Sequence, residues 1–161
     1  ESMYLLAAPT ENDVINSLDF GSLINELSNA YDYVIVDCPA GLNNKYYLHL
    51  KKNAKFLIVT NFDNVSVKGA HETSKGLLKC GLENMFLVLN RFDKKYAAKI
   101  KLTIDDIIDN SGVKLLAIVP EDPYVKLAAA KGKPLSLGIA AKALHKMAAR
   151  VEGFSVPLSK I

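Results

Sequence analysis

The chain has 161 residues, half of them hydrophobic and 23% charged, with a net charge of +3. That length suits one domain with a sizeable core, and the charge is too small to mark a nucleic-acid binder by itself. Cys38 and Cys80 show neither metal-ligand spacing nor a disulfide framework, no apolar run is long enough to span a membrane, and no signal peptide is evident. A cytoplasmic setting is expected.

Met3 to Ala8 is an apolar run closed by Pro9 and reads as a buried strand. Residues 11–18 are polar and read as a loop. Phe20, Leu23, Ile24 and Leu27 have helical spacing, so a helix precedes the next strand. That strand is Val34-Ile35-Val36, a β-branched run that ends at Asp37, with Pro39 and Gly41 forcing a turn. Tyr46, Tyr47, Leu48 and Leu50 suggest a short helix. Lys55 to Thr60 is a third strand. Ala70, Ser74, Leu77 and Leu78 mark one face of a helix stopped by Gly81.

Met85 to Asn90 is a fourth strand, and the basic stretch Arg91 to Lys101 breaks the pattern. Thr103 and Asp106 have capping-box spacing, with Asp in the place of Glu or Gln, ahead of Ile107 and Ile108. Gly112 ends that helix. Leu115 to Val119 is a fifth strand, closed by Pro120. Asp122 and Pro123 fit an N-cap and first helical position, and that helix stops at Gly132. A last helix over 139–151 carries Ala140, Leu144, Met147, Ala148 and Val151 on one face. Lys142, Lys146 and Arg150 lie on the opposite face, the pattern of the wet side of a packed helix.

Apolar strands alternating with amphipathic helices predict a three-layer α/β fold: a mainly parallel sheet of five strands with helices on both faces. Ligands in such sheets sit at the carboxyl ends of the strands, which here carry Pro9, Asp37, Thr60, Asn90 and Pro120. A carboxylate at the end of a buried strand before a glycine-containing loop is how α/β nucleotide hydrolases hold Mg²⁺. The plain alternative is a solvated Asp beside a turn.

The ordered set of segments resembles the MinD/ParA ATPases. Tyr31-Asp32-Tyr33-Val34-Ile35-Val36-Asp37, followed by Pro39-Ala40-Gly41, is similar to their Walker B and switch II segment. Val59-Thr60-Asn61-Phe62-Asp63 resembles the next strand and loop, with Phe62 where the family commonly has Pro. Val88-Leu89-Asn90-Arg91 matches the strand and loop that approach adenine. Ile118-Val119-Pro120-Glu121-Asp122, then Ala128 to Pro134, resembles the "IPED…GxP" end.

The resemblance implies a P-loop NTPase-like fold incomplete at its N-terminus, with residues 1–152 as the nucleotide-binding domain and 153–161 as a tail. It implies ATP/ADP and Mg²⁺ as ligands. Asp37 would hold the metal through water, and Gly41 would serve catalysis beside the γ-phosphate. Pro39, Ala40, Asn90, Arg91, Pro120, Glu121 and Asp122 would line the nucleotide, with Asn90 on the adenine edge. Such ATPases are dimerisation switches in intracellular positioning, so a homodimer, a regulatory protein, or a DNA or peripheral membrane surface is an implied partner. A catalytically dead domain kept for protein contacts is the alternative reading.

One departure is large. No segment matches the glycine-rich lysine loop that wraps phosphates. The nearest, Gly69 to Lys75, lacks the glycine before the lysine and lies in a helical pattern. By the family's layout, about a hundred residues with the first strand, phosphate loop and switch I are expected outside this chain. The flank of the Asp37 strand is then expected to be covered by another chain or by those residues. Lys94, Lys95, Lys99 and Lys101 read as a solvated basic loop.

Overall fold

The computed structural model describes residues 3–7, 19–39 and 54–158. The chain divides into two compact units, Glu1–Lys51 and Lys52–Ile161.

In the N-terminal unit, helix α1 (Phe20–Ala30) starts where the Asp19 carboxylate accepts the Ser22 amide at 3.0 Å. Its apolar face matches the spacing in the sequence, with Ile24 buried and Leu23 and Leu27 half-buried. The two strands expected here are not formed among the described residues: neither 3–7 nor 31–39 is part of a strand. A strand exists only through its ladder, and without one Leu5 and Ile35 are each 92% exposed. Residues 34–38 still alternate half-buried and exposed, the two-residue period of an extended chain with one covered side. The ring of Tyr4 lies 5.5 Å from that of Tyr31. Pro9 and the segments 11–18 and 46–50 lie outside the described residues.

The C-terminal unit is built on three parallel strands, β1 (Phe56–Asn61), β2 (Met85–Phe92) and β3 (Leu115–Pro120), in spatial order β1-β2-β3. These are the third, fourth and fifth strands read from the sequence. Helix α2 (Asn64–Lys79) carries the chain from β1 to β2, and α3 (Lys94–Ile100) with α4 (Ile104–Ser111) carries it to β3. Then follow α5 (Pro123–Ala130) and α6 (Ile139–Val151).

On one face of the sheet α2 packs against β1 and α4. It buries Val67, Ala70, Ser74 and Leu77, and the Ser74 hydroxyl donates to the Ser111 carbonyl at 3.1 Å. Leu78, placed on that face by its spacing, is 51% exposed. On the other face α6 covers β3, joining Ala140, Met147 and Val151 to Val88, Leu116 and Val119. One helix layer on each face gives the three-layer α/β architecture. Fully burying a Leu or Ile such as Leu87, Leu89 or Ile107 contributes about 1.5–3 kcal/mol each.

Two details of the helices differ from the sequence reading. The basic stretch after β2 is helix α3 rather than a loop, because the Asp93 carboxylate accepts the Lys95 and Tyr96 amides and starts a turn. On α6 the buried side is Ala140, Ala141 and Ala143, while Leu144 and Ala148 are exposed. Arg150 is not a free cation of a wet stripe, since its Nη1 donates to the Leu116 carbonyl at 2.6 Å. The other boundaries follow their caps. The Thr103–Asp106 capping box is complete, and Gly112 closes α4 at φ 66°.

Two glycines give opposite expectations. Gly69 is inside α2 with open space around its Cα, so Gly69→Ala should stabilise the unit by about 0.5–1 kcal/mol. Gly138 sits at φ 100°, and a Cβ there would lie 2.2 Å from Asp122 Oδ2. Gly138→Ala should therefore cost more than about 1 kcal/mol. Urea midpoints of the two variants should move in opposite directions.

Candidate functional site at the carboxyl edge of the sheet

Because all three strands run the same way, their carboxyl ends lie along one edge. Asn61 and Pro120 end β1 and β3 there, and Asn90, two residues before the end of β2, pairs directly with Asn61 in the ladder. Asn90 and Pro120 thus share an edge, as expected from the sequence. Asn90 is half-buried, and its carboxamide has no hydrogen-bond partner among the described residues. That leaves one acceptor and two donors to meet a planar polar ligand.

The ladder between β2 and β3 is irregular at this point. Leu89 pairs with Ile118 and Phe92 with Pro120, so β2 carries one residue more than β3 between the same two rungs. Arg91 absorbs the surplus in a left-handed conformation, φ 55°, which a residue with a Cβ seldom adopts. The bulge is fastened on both sides. The Glu121 amide donates to the Phe92 carbonyl at 2.9 Å, and the Arg91 Nε donates to Glu121 Oε2 at 2.7 Å. That bond and the neighbouring carboxylate raise the Arg91 pKa. Lys126 approaches the second oxygen of Glu121 at 4.0 Å. Phe92 is buried and meets Phe62 edge-on at 5.0 Å, tying the end of β1 to the end of β2.

The side chain of Asp122 is engaged within the fold. Its carboxylate is buried; Oδ1 accepts the Tyr124 amide at 3.0 Å and Oδ2 the Ala140 amide at 2.9 Å. One side chain thereby caps both α5 and α6, and Gly138 is the residue small enough to lie against it. The Ala140 and then the Tyr124 amide hold its pKa below the ordinary carboxylate range. The cap on α5 was legible from Asp122-Pro123, whereas the cap on α6 was not. Its signal would have been Gly138 at a helix start that has no capping side chain of its own.

Asp37 and Pro39 belong to the N-terminal unit, where both are exposed. Ala40 and Gly41 lie outside the described residues. Cys38 has its pKa raised by burial and, secondarily, by the Asp37 carboxylate, so its thiol is not activated. Gly69 to Lys75 lies wholly within α2, which is not the strand-to-helix setting of a phosphate loop. Among the described residues no group of three or more His, Cys, Asp or Glu side chains could hold a metal, and no helix is long and apolar enough to cross a membrane. A cavity of about 190 Å³ opens at the opposite edge of the sheet, beside Phe86, Lys114, Arg150 and Phe154, and shares no residue with this site.

A parallel sheet between helix layers, with polar residues gathered at its carboxyl edge, is the architecture of P-loop NTPases, incomplete in this chain. The septum site-determining protein MinD of Bacillus subtilis is 31% identical over 165 residues, covering 97% of this chain and 61% of that protein. The MinC:MinD cell division protein complex of Aquifex aeolicus has a similar chain, with TM-score 0.78 and 27% identity over 88% of this chain and 61% of that one. MinD of Pyrococcus horikoshii, solved with Mg-ADP, gives TM-score 0.69 and 26% identity over 83% of this chain and 55% of that one. No protein-family model matches the chain. These likenesses support a member of the MinD/ParA family, and the chain spans about three fifths of the Bacillus subtilis relative's length.

The double cap has a pH signature. The Asp122 pKa is lower folded than unfolded, so its stabilisation is present in full above about pH 4 and is lost as pH falls through the folded value. Urea midpoints measured from pH 7 downward should fall below about pH 4, and Asp122→Asn should start lower and fall less steeply.

Proposed function

We propose that the chain is part of an ATP-dependent switch in which residues 1–152 serve one nucleotide-binding domain and the phosphate loop is contributed from outside the 161 residues. The observation that supports this most directly is the unpartnered Asn90 carboxamide at the same sheet edge as the Pro120–Asp122 turn. An amide side chain presents a donor and an acceptor side by side, the complement of the adenine edge. The backbone of the turn would wall the base.

The Mg-ADP of the Pyrococcus horikoshii relative supports nucleotide and Mg²⁺ as ligands. The donor set fits such a metal in a limited way. Mg²⁺ keeps several waters and takes one or two carboxylates plus phosphate oxygens, so a single exposed Asp37 suffices for a water-mediated contact while the phosphates do the rest. Bound there, Mg²⁺ would neutralise charge on the phosphates. Gly41, by its amide, would serve the γ-phosphate.

As a switch, the nucleotide would govern homodimerisation, and the MinC:MinD complex of Aquifex aeolicus makes a protein partner in cell division the preferred reading. The protein would work in the cytoplasm, peripherally at the membrane. The basic helix α3 leaves DNA as a lesser option.

The sequence of the 161 residues has no glycine-rich lysine motif of the kind that wraps β- and γ-phosphates. The 161 residues alone should bind adenine nucleotide weakly, about millimolar, and hydrolyse none. A longer chain with a glycine-rich, lysine-containing segment ahead of Glu1 should show Mg²⁺-dependent phosphate release, and Asp37→Asn in it should remove most of that release. Turnover by the 161 residues alone would refute the reading. So would an Asp37→Asn longer chain as active as its parent. A longer chain that binds nucleotide without turnover would instead mark a dead domain kept for protein contacts.

A further inference from the structure

The Arg91–Glu121 pair raises a question that nucleotide binding alone does not answer. Exposed ion pairs add little to stability, and Arg91 is 62% exposed in its side chain. The pair nevertheless holds a backbone conformation that a glycine or asparagine would adopt more readily. Strain kept at a bulge beside a site points to a positioning task, since bulges re-aim neighbouring side chains.

The geometry identifies what is positioned. The surplus residue of β2 lies at Asn90 or Arg91, between the rungs Leu89–Ile118 and Phe92–Pro120. Asn90 is therefore in the part of β2 that is out of register with β3. Its placement relative to the Pro120–Asp122 turn depends on what crosses from one strand end to the other. Two links cross: the Glu121 amide to the Phe92 carbonyl, and the Arg91 guanidinium to the Glu121 carboxylate. The first belongs to the ladder. The second joins the residue after Asn90 to the residue after Pro120. A change in its length alters the spacing between the amide that would read a base edge and the turn that would wall its ring.

We propose that Arg91 and Glu121 form a latch that sets base selectivity: they are positioning residues whose side chains hold Asn90 at the spacing a 6-aminopurine requires, without those side chains touching the nucleotide. This rests on the nucleotide-site reading above. It gives Arg91 and Glu121 a role distinct from the direct ligand contact that family resemblance implies. Lys126 lies 4.0 Å from the second Glu121 oxygen, beyond hydrogen-bond distance.

The test measures dissociation constants for Mg-ATP and Mg-GTP on the longer chain and on variants, with melting temperatures recorded beside them. Arg91→Ala and Glu121→Gln should each reduce the ATP-over-GTP preference about tenfold with little change in melting temperature. Arg91→Gly relieves the backbone strain yet removes the latch. It should lose the same selectivity while melting no lower than the parent. The exchange Arg91→Glu with Glu121→Arg should restore most of the preference, because the pair and not either side chain is what acts. Raising salt should weaken the preference in the parent and not in the single variants, because an exposed pair is screened.

Single variants that keep the parent's preference overturn the latch while leaving the nucleotide site standing. Single variants that lose it, with no recovery in the exchanged pair, overturn it too, because the side chains would then contact the ligand directly. A parent that binds neither nucleotide overturns the site reading and the latch together.

Discussion

The carboxyl edge of the C-terminal unit is organised by one buried carboxylate bound to two backbone amides. Asp122 accepts from Tyr124 and from Ala140, residues on separate helices. Four amides at a helix start lack internal partners, and a charged acceptor there also meets the positive end of the helix dipole. With one group serving two helix starts, the end of β3, the start of α5 and the start of α6 become a single joint. Position 138 has to be glycine for the carboxylate to fit, and α6 is thereby placed to cover Val88, Leu116 and Val119. The packing of one whole face of the sheet follows from that joint.

The same edge shows how charge and conformation are balanced at short range. Glu121 is committed to Arg91, and Asp122 to the helix amides. Both carboxylates are thus already engaged within the protein. Asn90, between them and Asn61 along the edge, keeps its polar atoms free among the described residues. The site is thus specified by which polar groups are already satisfied as much as by which ones are present.

Where the sequence reading succeeded, the signal was local. The Thr103–Asp106 box, Gly112, Asp122-Pro123 and the β-branched runs of β1 and β3 act within a few residues of themselves, and each appears where expected. It failed where the deciding partner is far along the chain. Val34-Ile35-Val36 has strand composition, but composition does not supply a ladder. The Arg91–Glu121 pair spans 30 residues, and the Asp122–Ala140 bond 18. Phe62 stood out only as a departure from the family's proline, yet it braces Phe92 at the bulge. The identities of Asn90 and Pro120 were legible, but the irregular register that places them was not.

The parallel register also bears on how the unit assembles. Phe56 meets Met85 and Leu87 meets Leu115, separations of 29 and 28 residues. Neither rung has a hairpin to nucleate it, because parallel neighbours require a crossover. Each ladder waits for loop closure around at least one intervening helix, a search whose entropy is lost before any strand contact is gained. Preformed caps at Asp63, Thr103 and Asp122 shorten that search by fixing where the helices begin. The topology therefore favours helix nucleation before the docking of β2 between its two neighbours.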